Sequence, residues 1–184
     1  AVRRARVCQR HEARLGVRDV LPGVGEARRL GFLQPVTAEF GMGYELNPPQ
    51  PSEIHSFRSL GLVPGWDRSK YEDRITGARN ETPFEFFEAH LEEKRTTTDG
   101  KGRTRTTWVT VFKGQCLVAN FHKQFNGVTK VFRDKGVFNI FGKLAQMGQS
   151  QKVKLEDPVF EKAFEVYSTD QIEARFLLTP DFME

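Results

Sequence analysis

From Tyr71 onward, apolar and polar residues alternate with a period of two. Phe87, Ala89 and Leu91 fall on one side of an extended stretch, and Glu88, His90 and Glu92 fall on the other. Residues 82–97 therefore read as one long strand. Asp99 and Gly100 supply a hairpin signal, and residues 104–112 return as the partner strand. Gly114 interrupts the apolar run and suggests a bulge or bend. Residues 115–125 continue the strand, Asn126 and Gly127 give a second hairpin turn, and residues 128–132 return. The pattern predicts a meander of three or four antiparallel strands.

The flanks change period. Residues 1–15 have a helical look, with Val2, Ala5, Val7, Cys8 and Leu15 set among arginines. A break at residues 21–25 precedes a second helix over 26–40, which Pro35 threatens from inside. Residues 47–51 form a proline-rich loop. Ser52 is the expected cap of a short helix carrying Ile54, Phe57 and Leu60, with Gly61 after its end. Residues 134–151 are an excursion in which Val137, Ile140, Phe141 and Leu144 recur at helical spacing between Lys135 and Lys143. That pattern suits a lid over the sheet or a membrane-interfacial helix. A strand at 152–155, a turn at Asp157 and Pro158, a strand near 164–167 and a helix at 169–178 follow. Ser168 and Gln171 are spaced as a capping box. Thr179 and Pro180 open one more helical turn. So short a turn predicts either a chain cut from something longer or docking of Phe182 and Met183 on the body. The fold class expected is α+β: a mostly antiparallel, Phe-rich sheet with N-terminal helices and a C-terminal capped helix. One domain over 1–184 is expected, with a helical segment at 1–45 and a sheet-rich core at 70–184.

Composition sharpens this in two places. Phenylalanine dominates the aromatics, with 16 Phe against 3 Tyr and 2 Trp, which suits a sheet core with no polar handle. The net charge of +4 is uneven. Residues 1–30 hold eight arginines against Glu12, Asp19 and Glu26, so this segment alone carries the basic excess. Arg3, Arg4, Arg6, Arg10 and Arg14 are the candidate contacts for anionic lipid, in a segment that could also bind nucleic acid; a solvated helix face is the default reading. No apolar run approaches the roughly 20 residues needed to cross a bilayer, and the mean hydropathy is −0.52. Ala1 is neither an initiator methionine nor the start of a signal core, which adds to the expectation of a longer parent protein. Cys8 and Cys116 lie far apart. Cys116 reads as a small core residue, and nothing suggests a disulfide scaffold, so a reducing compartment is expected.

Few residues carry a chemical signal. Glu88, His90 and Glu92 could ligate a metal, although a polar strand face explains them without one. Lys94, Arg95, Lys101, Arg103 and Arg105 cluster around the first hairpin tip, where phosphate contact competes with a plain exposed loop. Asn80, Glu81 and Thr82 fit the glycosylation pattern, which matters only in a secreted protein. G-x-S-x-G, H-E-x-x-H and C-x-x-C are all absent. No catalytic residue and no cofactor is read from the sequence, and the balance leans away from an enzyme.

Three motifs carry a family resemblance. They are Y-E-D-R-I-T-G (residues 71–77), V-F-K-G-Q-C-L-V-A-N-F-H-K-Q-F-N-G-V-T (residues 111–129) and L-E-D-P-V-F-E-K-A-F-E-V-Y-S-T-D-Q-I-E-A-R-F-L-L-T-P-D-F-M-E (residues 155–184). Residues 40–184 resemble an uncharacterised bacterial family of unknown function, some of whose members carry the automatic label galanin. The resemblance implies a soluble domain anchored by upstream membrane segments, and it implies no activity and no site residues. The expected function is a non-catalytic interaction domain at the cytoplasmic face of a bacterial membrane. Its expected partner is an anionic membrane surface or another protein, rather than nucleic acid. The alternatives are a small-ligand-binding module, or an uncharacterised enzyme, with a pocket beneath residues 134–151.

Overall fold

The alternation read along residues 82–121 builds the two longest strands of the protein, β4 (Thr82–Thr98) and β5 (Thr104–Phe121). The computed structural model describes residues 3–10, 24–121, 126–133 and 150–183. The described chain falls into two compact units, Ala1–His122 and Lys123–Glu184. The α+β class holds in both.

The first unit also contains β1 (Arg3–Arg10), α1 (Val24–Glu39), β2 (Gly43–Glu45), α2 (Ile54–Ser59) and β3 (Arg68–Arg79). Its five strands lie in the order β1-β5-β4-β3-β2, and every neighbouring pair is antiparallel. Phe87, Ala89 and Leu91 of β4 and Phe112, Cys116 and Val118 of β5 are buried on one face. Ile54 and Phe57 of α2, with Val63, cover them. Phe57 and Tyr71 each meet Phe87 edge-on, with ring centroids 6.1 Å apart. Gly61, at φ +73°, ends α2 as expected, whereas Ser52 does not cap it: Glu53 holds the cap position and makes no side-chain cap bond. Pro35 is accommodated inside α1 without ending it.

Residues 1–15 are not helical where they are described. Residues 3–10 are an edge strand in unbroken register with β5, from Arg3↔Phe121 to Arg10↔Gly114. A helix would stack Arg3, Arg6, Arg10 and Arg14 at spacings of three and four, placing like charges side by side. The open edge of β5 offers eight backbone pairs instead. Arg14 lies outside the described residues. Gly114 is regularly paired, and the irregularity falls earlier: Leu91↔Phe112 is followed by Glu92↔Thr110, which leaves Val111 as the extra residue.

The second unit contains β6 (Thr129–Arg133), β7 (Gln151–Val153), α3 (Pro158–Ala163), β8 (Phe164–Ser168), α4 (Gln171–Leu177) and α5 (Pro180–Met183). Its strand order is β6-β8-β7, and it is antiparallel throughout. Val153, Val166, Ala174 and Leu178 form the core, and Met183 packs against them. The meander therefore stops at β5, because β6 pairs with β8. The backbone N–H groups of Asn126 and Gly127 donate to the Glu173 carboxylate at 2.6 and 3.0 Å, and Val128 N–H donates to Thr169 Oγ1 at 2.9 Å. These acceptors take the amides that a tight hairpin turn would have used. The predicted capping box also shifts: Asp170 caps α4 by accepting from Ile172 and Glu173, while Ser168 belongs to β8.

Candidate functional site

Asp73 is the most constrained residue of the first unit. Glu72↔Glu88 is followed by Ile75↔Phe86, so Asp73 and Arg74 together oppose Phe87 in a bulge. Asp73 takes φ 52°, a left-handed conformation that aspartate tolerates better than most side chains. The bulge turns its carboxylate into a site 7% exposed. There Oδ1 accepts from the Tyr44 hydroxyl at 2.6 Å, and Oδ2 accepts from Arg29 Nη1 at 2.7 Å. The backbone N–H of Asp73 donates to the carbonyl of Leu46 at 2.9 Å. Burial, and then the hydrogen bond to Asp73, push the Tyr44 hydroxyl far above its ordinary pKa. Burial works against the Arg29 charge, but its hydrogen bond and attraction to Asp73 outweigh it and raise its pKa. Tyr44 therefore keeps its proton near neutrality, and both Asp73 oxygens are engaged. The cluster is a clamp that ties α1 to β2 and β3. Sequence reasoning missed it because its members are dispersed along the chain; the one signal was an aspartate within a strand pattern, where that residue is depleted.

Glu88, His90 and Glu92 do share a face of β4, opposite the buried Phe87, Ala89 and Leu91. They lie in a lattice of cross-strand partners. Arg68 Nε donates to Glu92 at 2.6 Å and holds that carboxyl below its usual range. His90 Nε2 lies 2.9 Å from Thr110 Oγ1. Glu88 stands opposite Glu72, which pairs with Lys70 at 3.0 Å. Among the described residues, no three His, Cys, Asp or Glu side chains converge as a metal site would require. Arg68 also stacks on Trp108, 4.1 Å from the ring centroid.

His90 yields a pH prediction. Burial, reinforced by Lys113 and Arg68 against the attraction of Glu92 and Glu72, holds its imidazole below the ordinary value. The unfolded chain then binds the proton more readily, so stability is lost as pH falls through about 6.5 towards the native value. His90→Asn is expected to shrink the loss of urea stability between about pH 7 and pH 5. Parallel stability curves for the two proteins would contradict this assignment.

Beyond Arg68↔Glu92, β4 and β5 run on alone as a two-stranded ribbon to the tip at Asp99. Asp99 Oδ1 accepts from the backbone N–H groups of Lys101 and Arg103, which shapes the turn. Arg95 pairs with Glu93 at 3.1 Å. Among the described residues, Lys94, Lys101, Arg103 and Arg105 have no ion pair.

Arg3, Arg4, Arg6 and Arg10 lie on β1, and the next described element is α1. This helix is turned against the usual rule. Its inward stripe holds Arg29 and Thr37, and Thr37 is 7% exposed. The adjacent stripe, Phe32 and Val36 continuing to Phe40 just beyond the helix, is 68%, 40% and 70% exposed. Spacings of four place the three side chains in one line. Concavities among the described residues include an open depression of about 500 Å³ lined by Asn47, Gln50, Ser69 and Tyr71, and one of about 140 Å³ in the second unit lined by Val153, Leu155 and Phe164. The pocket expected beneath residues 134–151 falls almost wholly outside the described residues.

The second unit and the end of β5 carry the family signal. Residues 110–184 match the family described as Protein of unknown function (DUF3137). The DUF3137 match contains two of the three motifs on which the resemblance rested, and it brings no activity with it. No curated protein and no solved structure matches the chain.

Proposed function

We propose that this chain is a non-catalytic interaction domain that works at the cytoplasmic face of a bacterial membrane and meets an anionic lipid surface. The observation that carries the reading is the exposed stripe of Phe32, Val36 and Phe40, which follows the arginine-rich segment in the chain. An apolar helix face joined in sequence to concentrated positive charge is a combination that suits bilayer interfaces. Each arginine near an anionic surface contributes about 1 kcal/mol. Among the described residues no helix is long and apolar enough to cross a membrane, so the contact proposed is with the surface. The clamp at Asp73 supports the reading in a second way, because it fixes α1 with its apolar stripe outward.

Co-sedimentation with vesicles tests the proposal. Vesicles of mixed phosphatidylglycerol and phosphatidylcholine are expected to carry the protein down, and binding is expected to weaken with added salt. Pure phosphatidylcholine vesicles are expected to bind it weakly. Equal binding to both compositions, or binding to neither, would overturn the proposal.

A further inference from the structure

We propose that Cys8 and Cys116 are a cross-strand thiol pair that closes to a disulfide and fastens β1 to the sheet. They are the two cysteines of the chain. The β1–β5 register sets them directly opposite each other within an unbroken eight-pair ladder. Residues opposed in an antiparallel pair occupy one face of the sheet, with Cα atoms about 4.5 or 5.5 Å apart according to the hydrogen-bonding of the pair. Both spacings fall inside the range of about 4.4–6.8 Å that disulfides use. A slip of one residue would bring Val7 or Gln9 opposite Cys116, so the pairing depends on this register.

β1 is the outermost strand of its sheet, and β5 is its neighbour. Cys116 is fully buried in the core of the first unit. A disulfide here joins that core to the edge strand carrying Arg3, Arg4, Arg6 and Arg10, and it closes a loop over most of the first unit. Under reducing conditions the pair remains two thiols and β1 is held by backbone bonds alone. The oxidant is a small-molecule disulfide, R–S–S–R. One cysteine thiolate attacks a sulfur of R–S–S–R, which forms a mixed disulfide and releases R–S⁻. The second thiolate attacks the protein-bound sulfur, which forms the Cys8–Cys116 bond and releases the other R–S⁻. Two electrons pass to R–S–S–R, and the two cysteine protons leave with the two R–S⁻ groups as thiols.

The test uses the full chain with glutathione disulfide as the oxidant. The monomer is expected to lose the mass of two hydrogen atoms, and a non-reducing digest is expected to yield one linked peptide containing Cys8 and Cys116. Amide hydrogen exchange over residues 3–10 is expected to slow relative to the dithiothreitol-treated protein. A Cys8→Ser, Val7→Cys variant moves the thiol by one register position and is expected to retain glutathione as a mixed disulfide. Two glutathione adducts on the parent monomer, disulfides formed only between molecules, or closure of the shifted variant as fast as the parent would overturn the proposal.

Discussion

Asp73→Ala is expected to lower the unfolding free energy of the first unit by about 3 kcal/mol, towards the low end of the cost of breaking a buried charge pair. Three losses combine. Arg29, whose side chain is 24% exposed, loses the carboxylate 2.7 Å away. The Tyr44 hydroxyl loses its acceptor at 2.6 Å. Alanine must also hold φ near 52°, which it tolerates less well than aspartate. Graded variants separate these terms. Tyr44→Phe removes one hydrogen bond and is expected to cost about 1 kcal/mol. Asp73→Asn keeps an acceptor and the backbone preference and is expected to fall between the two. Hydrogen exchange should locate the change, with α1 losing protection before β4 and β5. If Asp73→Ala costs no more than Tyr44→Phe, the clamp does not hold α1.

The second large effect concerns binding. Replacing Phe32 and Phe40 together with serine is expected to weaken association with anionic vesicles by about a thousandfold. Transfer of a phenylalanine side chain out of water contributes about 1.5–3 kcal/mol, and two such transfers give the factor. Stability should barely move, because both side chains are mostly exposed. Replacing Phe87 would have the reverse signature: it is fully buried, so its loss would unfold the unit without informing on the surface. Unchanged vesicle affinity in the double variant would remove the apolar stripe from the account and leave charge alone.

The sequence made some elements legible and hid others for physical reasons. β4 and β5 could be read because one face is buried and the other solvated, which imposes strict alternation. β1 could not, because the alternation of Arg4, Ala5, Arg6 and Val7 breaks at Cys8, and the wider spacing of apolar residues over 1–15 suits a helix. Its identity comes from the vacant edge of β5, which is a property of the partner strand. Asn126 and Gly127 gave a sound turn signal, but Glu173, far along the chain, accepts their amides, so the local signal named the wrong partner strand. The Phe32, Val36 and Phe40 spacing was visible in the sequence, yet ordinary amphipathic logic would have turned it inward. The inward choice was made by Arg29, through an aspartate at a bulge whose one local sign is its place within a strand pattern.

The most direct measurement is depth-resolved fluorescence of a Phe32→Trp variant on phosphatidylglycerol vesicles containing lipids brominated along the acyl chain. The difference from the parent protein isolates the new indole from Trp66 and Trp108. Docking of the stripe at the interface should give a blue-shifted emission from residue 32 and strong quenching by bromines near the headgroup end of the chain. Emission that stays at its aqueous wavelength, unquenched while the protein is vesicle-bound, would contradict it.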